Sequence, residues 1–285
     1  MIAITGASGQ LGRLVIAELL KKVPAGEIVA AVRNPDRVQD LAARGVQVRL
    51  ADYDQPETLA AAFRGVDKLL LISSSEVGRR LPQHRAVIAA AKHAGVKLLA
   101  YTSLLHADIS PLGLAAEHQA TEALLQASGV PFVLLRNGWY SENYLASVPA
   151  ALQHGALIGS AGDGRIASAA RADFAAAAAA VLCRDNQAGL IYELAGDESY
   201  SLAELAAEVA RQSGQPVVYQ NLPESEFKAA LLGAGLPEGF AGLLADSDAG
   251  AAKGALFDDS HQLSQLIGRP TTPIAALVKV ALDQR

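Results

Sequence analysis

Cysteine is almost absent. Cys183 stands alone in 285 residues, so no intramolecular disulfide framework can form and no cysteine-built metal site is available. That usage points to a reducing compartment, and a cytoplasmic location is expected. An excess of positive charge is lacking too. Against 24 Lys and Arg stand 29 Asp and Glu, a net of −5. Such a balance carries no basic footprint of the kind that nucleic acid or an anionic membrane surface selects. No uninterrupted apolar run approaches the roughly 20 residues of a membrane helix. No basic region with a cleavage site precedes the first strand pattern, so neither membrane insertion nor a signal peptide is expected. His84, His93, His106, His154 and His261 are scattered without metal-ligand spacing, so no metal is expected. Internal repeats are absent as well.

What is present is an apolar chain, 51% hydrophobic and 19% charged, of a size for one large or two modest domains. Short apolar runs at 2–5, 27–33, 46–50, 68–73, 97–102, 132–136 and 191–195 alternate with helical patterns at 10–23, 35–44, 56–64, 80–95, 114–128 and 171–183. Near-continuous apolar strands alternating with helices predict an α/β fold, a Rossmann-like doubly wound parallel sheet covered on both faces. The alanine-rich run 175–182 reads as a buried crossover helix with Cys183 on or near its packed face. A reactive thiol is the alternative, but Arg184 is its only basic neighbour and no His stands beside it. After about residue 137 the alternation breaks into an aromatic and Gly-rich stretch, 138–167. The tail 196–285 is mostly helical, with a short strand at 216–220 and a capping box at Ser201-Leu202-Ala203-Glu204. The expected organisation is therefore a nucleotide-binding domain of 1–137 plus 168–195, and a smaller, mostly helical C-terminal domain of 138–167 plus 196–285. The cleft between them would lie at the carboxyl ends of the strands, where open α/β sheets bind ligands.

The most informative stretch is the first. An apolar β-branched run leads into Gly6, Gly9 and Gly12, and Val15, Ile16, Leu19, Leu20 and Val23 continue the Gly12 stripe at helical spacing. Glycines there let backbone N–H groups approach a pyrophosphate at a helix N-terminus. Gly12 would also let that helix pack tightly on its strand. Thr5, Ser8 and Gln10 are placed to add side-chain hydrogen bonds to phosphate or ribose. Arg33, 21 residues beyond Gly12, ends the second strand pattern where an NAD-specific site carries a carboxylate for the ribose hydroxyls. A fixed cation there would attract a 2′-phosphate, so NADPH is favoured, with NADH still possible. Asp36 falls at the cap of the next helix. Asp52 either accepts from the adenine amino group or caps the helix that follows. Ser73-Ser74-Ser75 would leave room for the cofactor beside the glycine turn, or form a plain turn.

At Gly6-x-x-Gly9-x-x-Gly12, Arg33, Ser73–Ser75 and Leu135-Arg136-Asn137-Gly138-Trp139-Tyr140 the chain resembles the NmrA-like atypical short-chain dehydrogenases. Within that group it is most similar to the bacterial flavin-free NAD(P)H:quinone oxidoreductases. The likeness extends through Ser141-Glu142-Asn143-Tyr144 to Ala245-Asp246-Ser247-Asp248. It implies cofactor contacts from Gly6, Ala7, Ser8, Gly9, Gln10 and Leu11, from Arg33, from Ser73, Ser74 and Ser75, and from Asn137, Gly138, Trp139, Tyr140, Ser141 and Glu142. It also implies contacts from the 169–175 turn that includes Arg171. Triphenylmethane-dye reductases look similar in the first domain but differ around the sixth strand.

The usual short-chain dehydrogenase pair, Tyr-x-x-x-Lys, is missing, because no tyrosine here has a lysine four residues on. Reversible alcohol oxidation, which needs strong general-base help, is disfavoured. A small-molecule quinone or similar electrophile asks for less, since hydride addition leaves a weakly basic phenolate. Asn137 and Tyr140 are the expected catalytic residues. Asn137 either bonds the nicotinamide ribose or a quinone oxygen, or is a turn residue. Tyr140 either walls the ring or donates a proton, or packs in the second domain. Trp139 reads as packing. His118 is expected as a surface or capping residue, or else as a functional group near the fifth strand. A dinucleotide-sensing regulator without turnover and a reductase of other electrophiles such as cationic dyes are the alternatives. Oligomeric state is left open.

Overall fold

The computed structural model describes residues 1–284. The first unit comprises 1–107, 116–137 and 171–192. Its elements are β1 (Ile2–Ile4), α1 (Gln10–Leu19), β2 (Ile28–Val32), α2 (Gln39–Ala43), β3 (Gln47–Leu50), α3 (Pro56–Ala62), β4 (Lys68–Leu71), α4 (Arg80–Ala94), β5 (Leu98–Leu104), α5 (Ala115–Ser128) and β6 (Phe132–Asn137). The second unit comprises 108–115, 138–170 and Glu193 onward. It opens with α6 (Ser141–Leu145), α7 (Val148–His154) and β7 (Ala156–Gly159). The chain returns to the first unit in α8 (Arg171–Cys183) and enters β8 (Ile191–Leu194). It then continues through α9 (Leu202–Ser213), β9 (Val218–Asn221), α10 (Glu224–Gly233), α11 (Glu238–Ala251), α12 (Gln262–Ile267) and α13 (Ile274–Asp283).

The large sheet has the order β3-β2-β1-β4-β5-β6-β8. Every pairing from β3 to β6 is parallel. The order reverses between β1 and β4, and the carboxyl ends at such a switch point form the ligand crevice of an open α/β sheet. β2 and β5 are buried along their whole length. That is why they carry apolar runs rather than alternation. Phe63, Leu59, Val87, Ile88, Ala91 and Leu125 cover one face of this sheet. On the other face α1 packs against α8. α8 is alanine-rich and buried on nearly all sides, which allows close approach without bulky ridges.

Several elements depart from expectation. α1 stops at Leu19, four residues early, because Pro24 disfavours helical backbone in the residue before it and cannot continue the ladder. Cys183 is exposed, not packed. As the final residue of α8 it lies past the buried stretch that ends at Leu182. The aromatic and Gly-rich stretch 138–167 carries elements that the sequence pattern left without bounds. It contains α6, α7 and β7, and β7 pairs in parallel with β9 in a second, two-stranded sheet. The capping box forms as read: Ser201 Oγ accepts from the Glu204 amide at 3.2 Å and Glu204 accepts from the Ser201 amide at 2.8 Å.

Candidate cofactor and active site

The glycine turn is built by close approach. Gly6 has φ of +58°, in the left-handed region that favours glycine. A Cβ on Gly12 would stand 2.6 Å from the Gly6 carbonyl oxygen and 2.7 Å from Ala7 Cα. Gly12 is therefore required by the turn folded back over it. Ala7, Leu11 and Gly12 are buried while Gly6, Gly9 and Gln10 face outward and Ser8 is half-buried. Gly9 caps α1 without a side chain, and no acidic residue enters the first turn. The positive end of α1 is thus not neutralised from within its own sequence, as an anion site requires. Thr5 takes no outward part. Its hydroxyl is buried, donates to the Leu70 carbonyl at 3.1 Å, and accepts from the Ile72 amide and from Tyr53. It ties β1 to β4 at the switch point. Burial raises the Tyr53 phenol above its ordinary value, so it remains a donor.

Arg33 follows the buried β2 directly, and its side chain is 64% exposed. Its Nη1 donates to Glu76 Oε1 at 2.8 Å. The cap of the next helical turn is Asn34, which accepts from the Asp36 amide at 2.9 Å, so Asp36 is not the capping side chain. Asp52 does not cap α3 either: Gln55 holds that position, and the Asp52 carboxylate accepts from the Asp54 amide and the Gln55 side chain.

Ser73, Ser74 and Ser75 follow β4 and are firmly placed. The Ser73 amide donates to Thr102 Oγ1 at 2.8 Å, and the Ser74 amide to His84 Nε2 at 3.0 Å. Arg80 Nε donates to the Ser74 carbonyl at 2.6 Å. The Glu117 carboxylate accepts from the Gly78 and Arg80 amides, satisfying the start of α4 from α5. Because His84 Nε2 accepts, its Nδ1–H donates to Thr121 Oγ1 at 2.9 Å, and Thr121 donates to the Glu117 carbonyl. Burial, then the Arg80 charge, lower His84 to about 4.

His118 is neither a surface nor a capping residue. It is buried, with Nδ1 2.8 Å from Tyr101 Oη and Nε2 3.4 Å from Arg80 Nη1. Burial and the Arg80 charge lower it to about 3, so it stays neutral and braces the framework rather than shuttling protons at neutral pH. His84, Arg80, Glu117 and Tyr101 had no sequence signal as site supports.

At the end of β6, Arg136 and Glu122 form a buried ion pair at 2.8 Å, with Ser103 donating to the same carboxylate at 2.5 Å. Asn137 comes next and is the last residue of the strand, not the first beyond it. Its backbone carbonyl accepts from the Leu105 amide at 3.0 Å. Its side-chain Oδ1 is buried and finds no hydrogen-bond partner among the described residues. Such an orphaned acceptor needs an explanation. Arg171 opens α8 in the same unit and is half-buried.

In the second unit, the Gly138 amide donates to the Leu194 carbonyl at 2.7 Å, and Trp139, Tyr140 and Ser141 run alongside Ala169. Trp139 is buried, its ring 6.5 Å from that of Tyr144, and its indole Nε1 has no partner among the described residues. Tyr140 is half-buried and caps α6; Glu142 enters that helix's first turn. The Ser141 hydroxyl is buried in a chain with Ser168 and Tyr200, at 2.7 and 2.6 Å.

Asp248, in α11, lies in a stretch that the sequence marked only by resemblance. It accepts from Tyr144 Oη and from the Ser160 amide, both at 2.9 Å. Burial pushes its carboxyl up to about 6 from 3.8. The native state then holds a proton that the unfolded chain has already lost between those values. Its contribution favours the fold below pH 3.8 and is withdrawn as pH rises through 6. Asp248→Asn should remove this dependence. Urea unfolding at several pH values is expected to show the variant gaining roughly 3 kcal/mol relative to the parent from acid to neutral pH. Parallel curves for the two proteins would refute the assignment.

Among the described residues no group of three His, Cys, Asp or Glu can hold a metal, and no helix is long and apolar enough to cross a membrane. A glycine turn on an uncapped helix, at the point where a parallel sheet reverses its strand order, defines a dinucleotide-binding protein of the Rossmann class. Comparison agrees. A family described as NAD(P)H-binding matches residues 6–185. Quinone oxidoreductase 2 of Escherichia coli is 64% identical over 98% of this chain and 97% of its own. The crystal structure of an NADPH-dependent quinone oxidoreductase from Escherichia coli complexed with NADPH superposes with a TM-score of 0.97 at 63% identity, covering 99% of this chain and 100% of that one. The Citrobacter sp. triphenylmethane reductase complexed with NADP(H) gives 0.95 at 41%, with 99% and 100% covered. The chain belongs to the NAD(P)H-binding, NmrA-like family.

Proposed function

We propose that the protein is a cytoplasmic NADPH-dependent quinone reductase that works by direct two-electron transfer, with no flavin and no metal. The observation that carries the substrate class is its full-length likeness to a quinone oxidoreductase. The residues present fit the cofactor. The Gly6–Leu11 turn would receive the pyrophosphate on the uncapped end of α1, and Arg33 the 2′-phosphate. Ser73, Ser74 and Ser75 would border the cofactor beside that turn. The unpartnered Oδ1 of Asn137 suits an N–H or O–H donor of the nicotinamide riboside. Gly138, Trp139, Tyr140, Ser141, Glu142 and Arg171 complete the proposed contacts.

When bound, the reduced nicotinamide supplies a hydride, and one further proton completes the hydroquinone. The chain's own part is to orient. Asn137, fixed at the end of a fully paired strand, positions the ring, and Tyr140 walls the acceptor. The proton comes from water or a hydroxyl, since His84 and His118, which brace the Ser73–Ser75 loop, are held neutral by burial. Orientation of two reactants supplies most of the rate where the phenolate formed is weakly basic.

The test is steady-state oxidation of NADPH by the purified protein with small benzoquinones, alongside a triphenylmethane dye. Quinone turnover exceeding dye turnover is expected. Cofactor binding without turnover of any acceptor would leave a dinucleotide sensor in place of an enzyme. Faster dye reduction would move the substrate class to cationic electrophiles.

A further inference from the structure

Glu76 lies in the loop after β4, and the role of Arg33 alone does not account for it. Its two carboxylate oxygens face different ways. Oε2 accepts from Gln83 Nε2 at 3.1 Å and from Arg79 Nη1 at 3.3 Å, both on the α4 side of the loop. Oε1 accepts from Arg33 Nη1 at 2.8 Å. The Glu76 amide donates to Ser74 Oγ, and Ser74 is held by His84 and Arg80. Glu76 therefore stands on a braced loop, 30% exposed, whereas the Arg33 side chain is 64% exposed and hangs from the end of a strand. Arg79 and Asp54 form a second ion pair beside it at 3.0 Å, so two cations and two carboxylates balance locally.

We infer that Glu76 is a specificity-determining residue: it holds Nη1 of the Arg33 guanidinium in the free protein, and a 2′-phosphate must compete with it for that cation. This rests on the reading of Arg33 as the 2′-phosphate contact. A dianionic phosphate wins Arg33 because it offers more charge and more acceptor oxygens than a carboxylate. It does so against the fixed negative charge that remains at Glu76. A ribose 2′-hydroxyl meets no such opposition and needs no displacement. Glu76 thus lowers affinity for NADPH while leaving NADH nearly untouched, and it sets how far the site discriminates between them.

Glu76→Gln keeps the side-chain shape and the hydrogen bond from Gln83 within reach while removing the charge. Fluorescence titration of the full chain with NADPH and with NADH reads the result. Breaking an exposed ion pair and removing like-charge repulsion should tighten NADPH about three- to tenfold and change NADH less than about twofold. The gain should shrink between about 20 mM and about 300 mM salt, as surface electrostatics does. In an Arg33→Ala background the same substitution should give a clearly smaller gain in NADPH affinity, because the competition for Arg33 is gone and only the like-charge repulsion remains. Equal changes in both cofactors, a weakened NADPH complex, or an undiminished gain in the Arg33→Ala background would each overturn the inference. If Arg33→Ala alone spares NADPH, the 2′-phosphate reading itself fails. If it weakens NADPH but Glu76→Gln changes nothing, only the role of Glu76 fails.

Discussion

Glu122→Ala should cost the protein about 3–5 kcal/mol of stability, the loss expected when one partner of a buried ion pair is removed. Both side chains are nearly inaccessible, 8% for Arg136 and 7% for Glu122. The pair is bidentate: Arg136 Nε donates to Oε1 at 3.0 Å and Nη2 to Oε2 at 2.8 Å. Alanine leaves the guanidinium charged in a dry site, since arginine does not deprotonate, and it strips Ser103 of its acceptor as well. Thermal or urea unfolding measures the loss, which corresponds to a melting point lower by about 5–8 °C. A companion variant separates charge from packing. Glu122→Leu with Arg136→Met replaces the pair by apolar groups of similar bulk and should recover most of the stability. A loss below about 1 kcal/mol in the single variant, as for a surface pair, would contradict the burial argument. Since Arg136 precedes Asn137 on β6, the single variant should also loosen the strand end that presents the Asn137 amide.

Arg136 shows where sequence reading runs out. The stretch around it was marked by resemblance, yet nothing local said that its cation is buried. The partner, Glu122, lies 14 residues earlier on a helix, where a charged side chain ordinarily faces solvent. The same blindness covers Arg80, Gln83, His84, Glu117 and His118. Each is polar and helical, which predicts exposure. Each is placed instead by hydrogen bonds that reach across α4, α5 and the loop after β4. Buried polar networks are satisfied by distant partners, so periodicity cannot announce them. Cys183 was misplaced for a related reason. A helix apolar on all sides carries no facing information. β7 and β9 escaped as a pair because about sixty residues separate two four-residue strands with little periodicity.

What could be read was local or chirally constrained. The turn at Gly6–Gly12 needs a positive φ and a missing Cβ at fixed offsets, and both constraints leave a mark in the residues themselves. The parallel sheet could be read because strands buried on two faces have no polar alternation. Arg33 was legible by position, as the first residue past a fully buried strand. Its counter-ion Glu76 was not, since the loop that carries it is ordered by non-local bonds.

Arg33→Ala is the second large effect expected. Hydrogen bonds to a charged group are worth about 1.5–3 kcal/mol, so NADPH affinity should fall roughly 10- to 150-fold. NADH affinity should change by less than about threefold, because the 2′-hydroxyl offers the guanidinium little. The exposure of Arg33 and its competition with Glu76 both act to reduce the net contribution. The observed loss should therefore fall toward the lower end of that range near physiological salt and rise as salt is lowered. Stability should hardly change, since the side chain that is lost is exposed and its ion pair lies at the surface. The variant consequently separates cofactor choice from folding. If both dinucleotides weaken together, Arg33 stacks on the adenine or shapes the β2 loop instead of reading the phosphate. If neither weakens, the group that holds the 2′-position must be sought elsewhere. Calorimetric titration of the parent and the variant with each cofactor decides among these outcomes, and the ratio of the two losses is the quantity that matters.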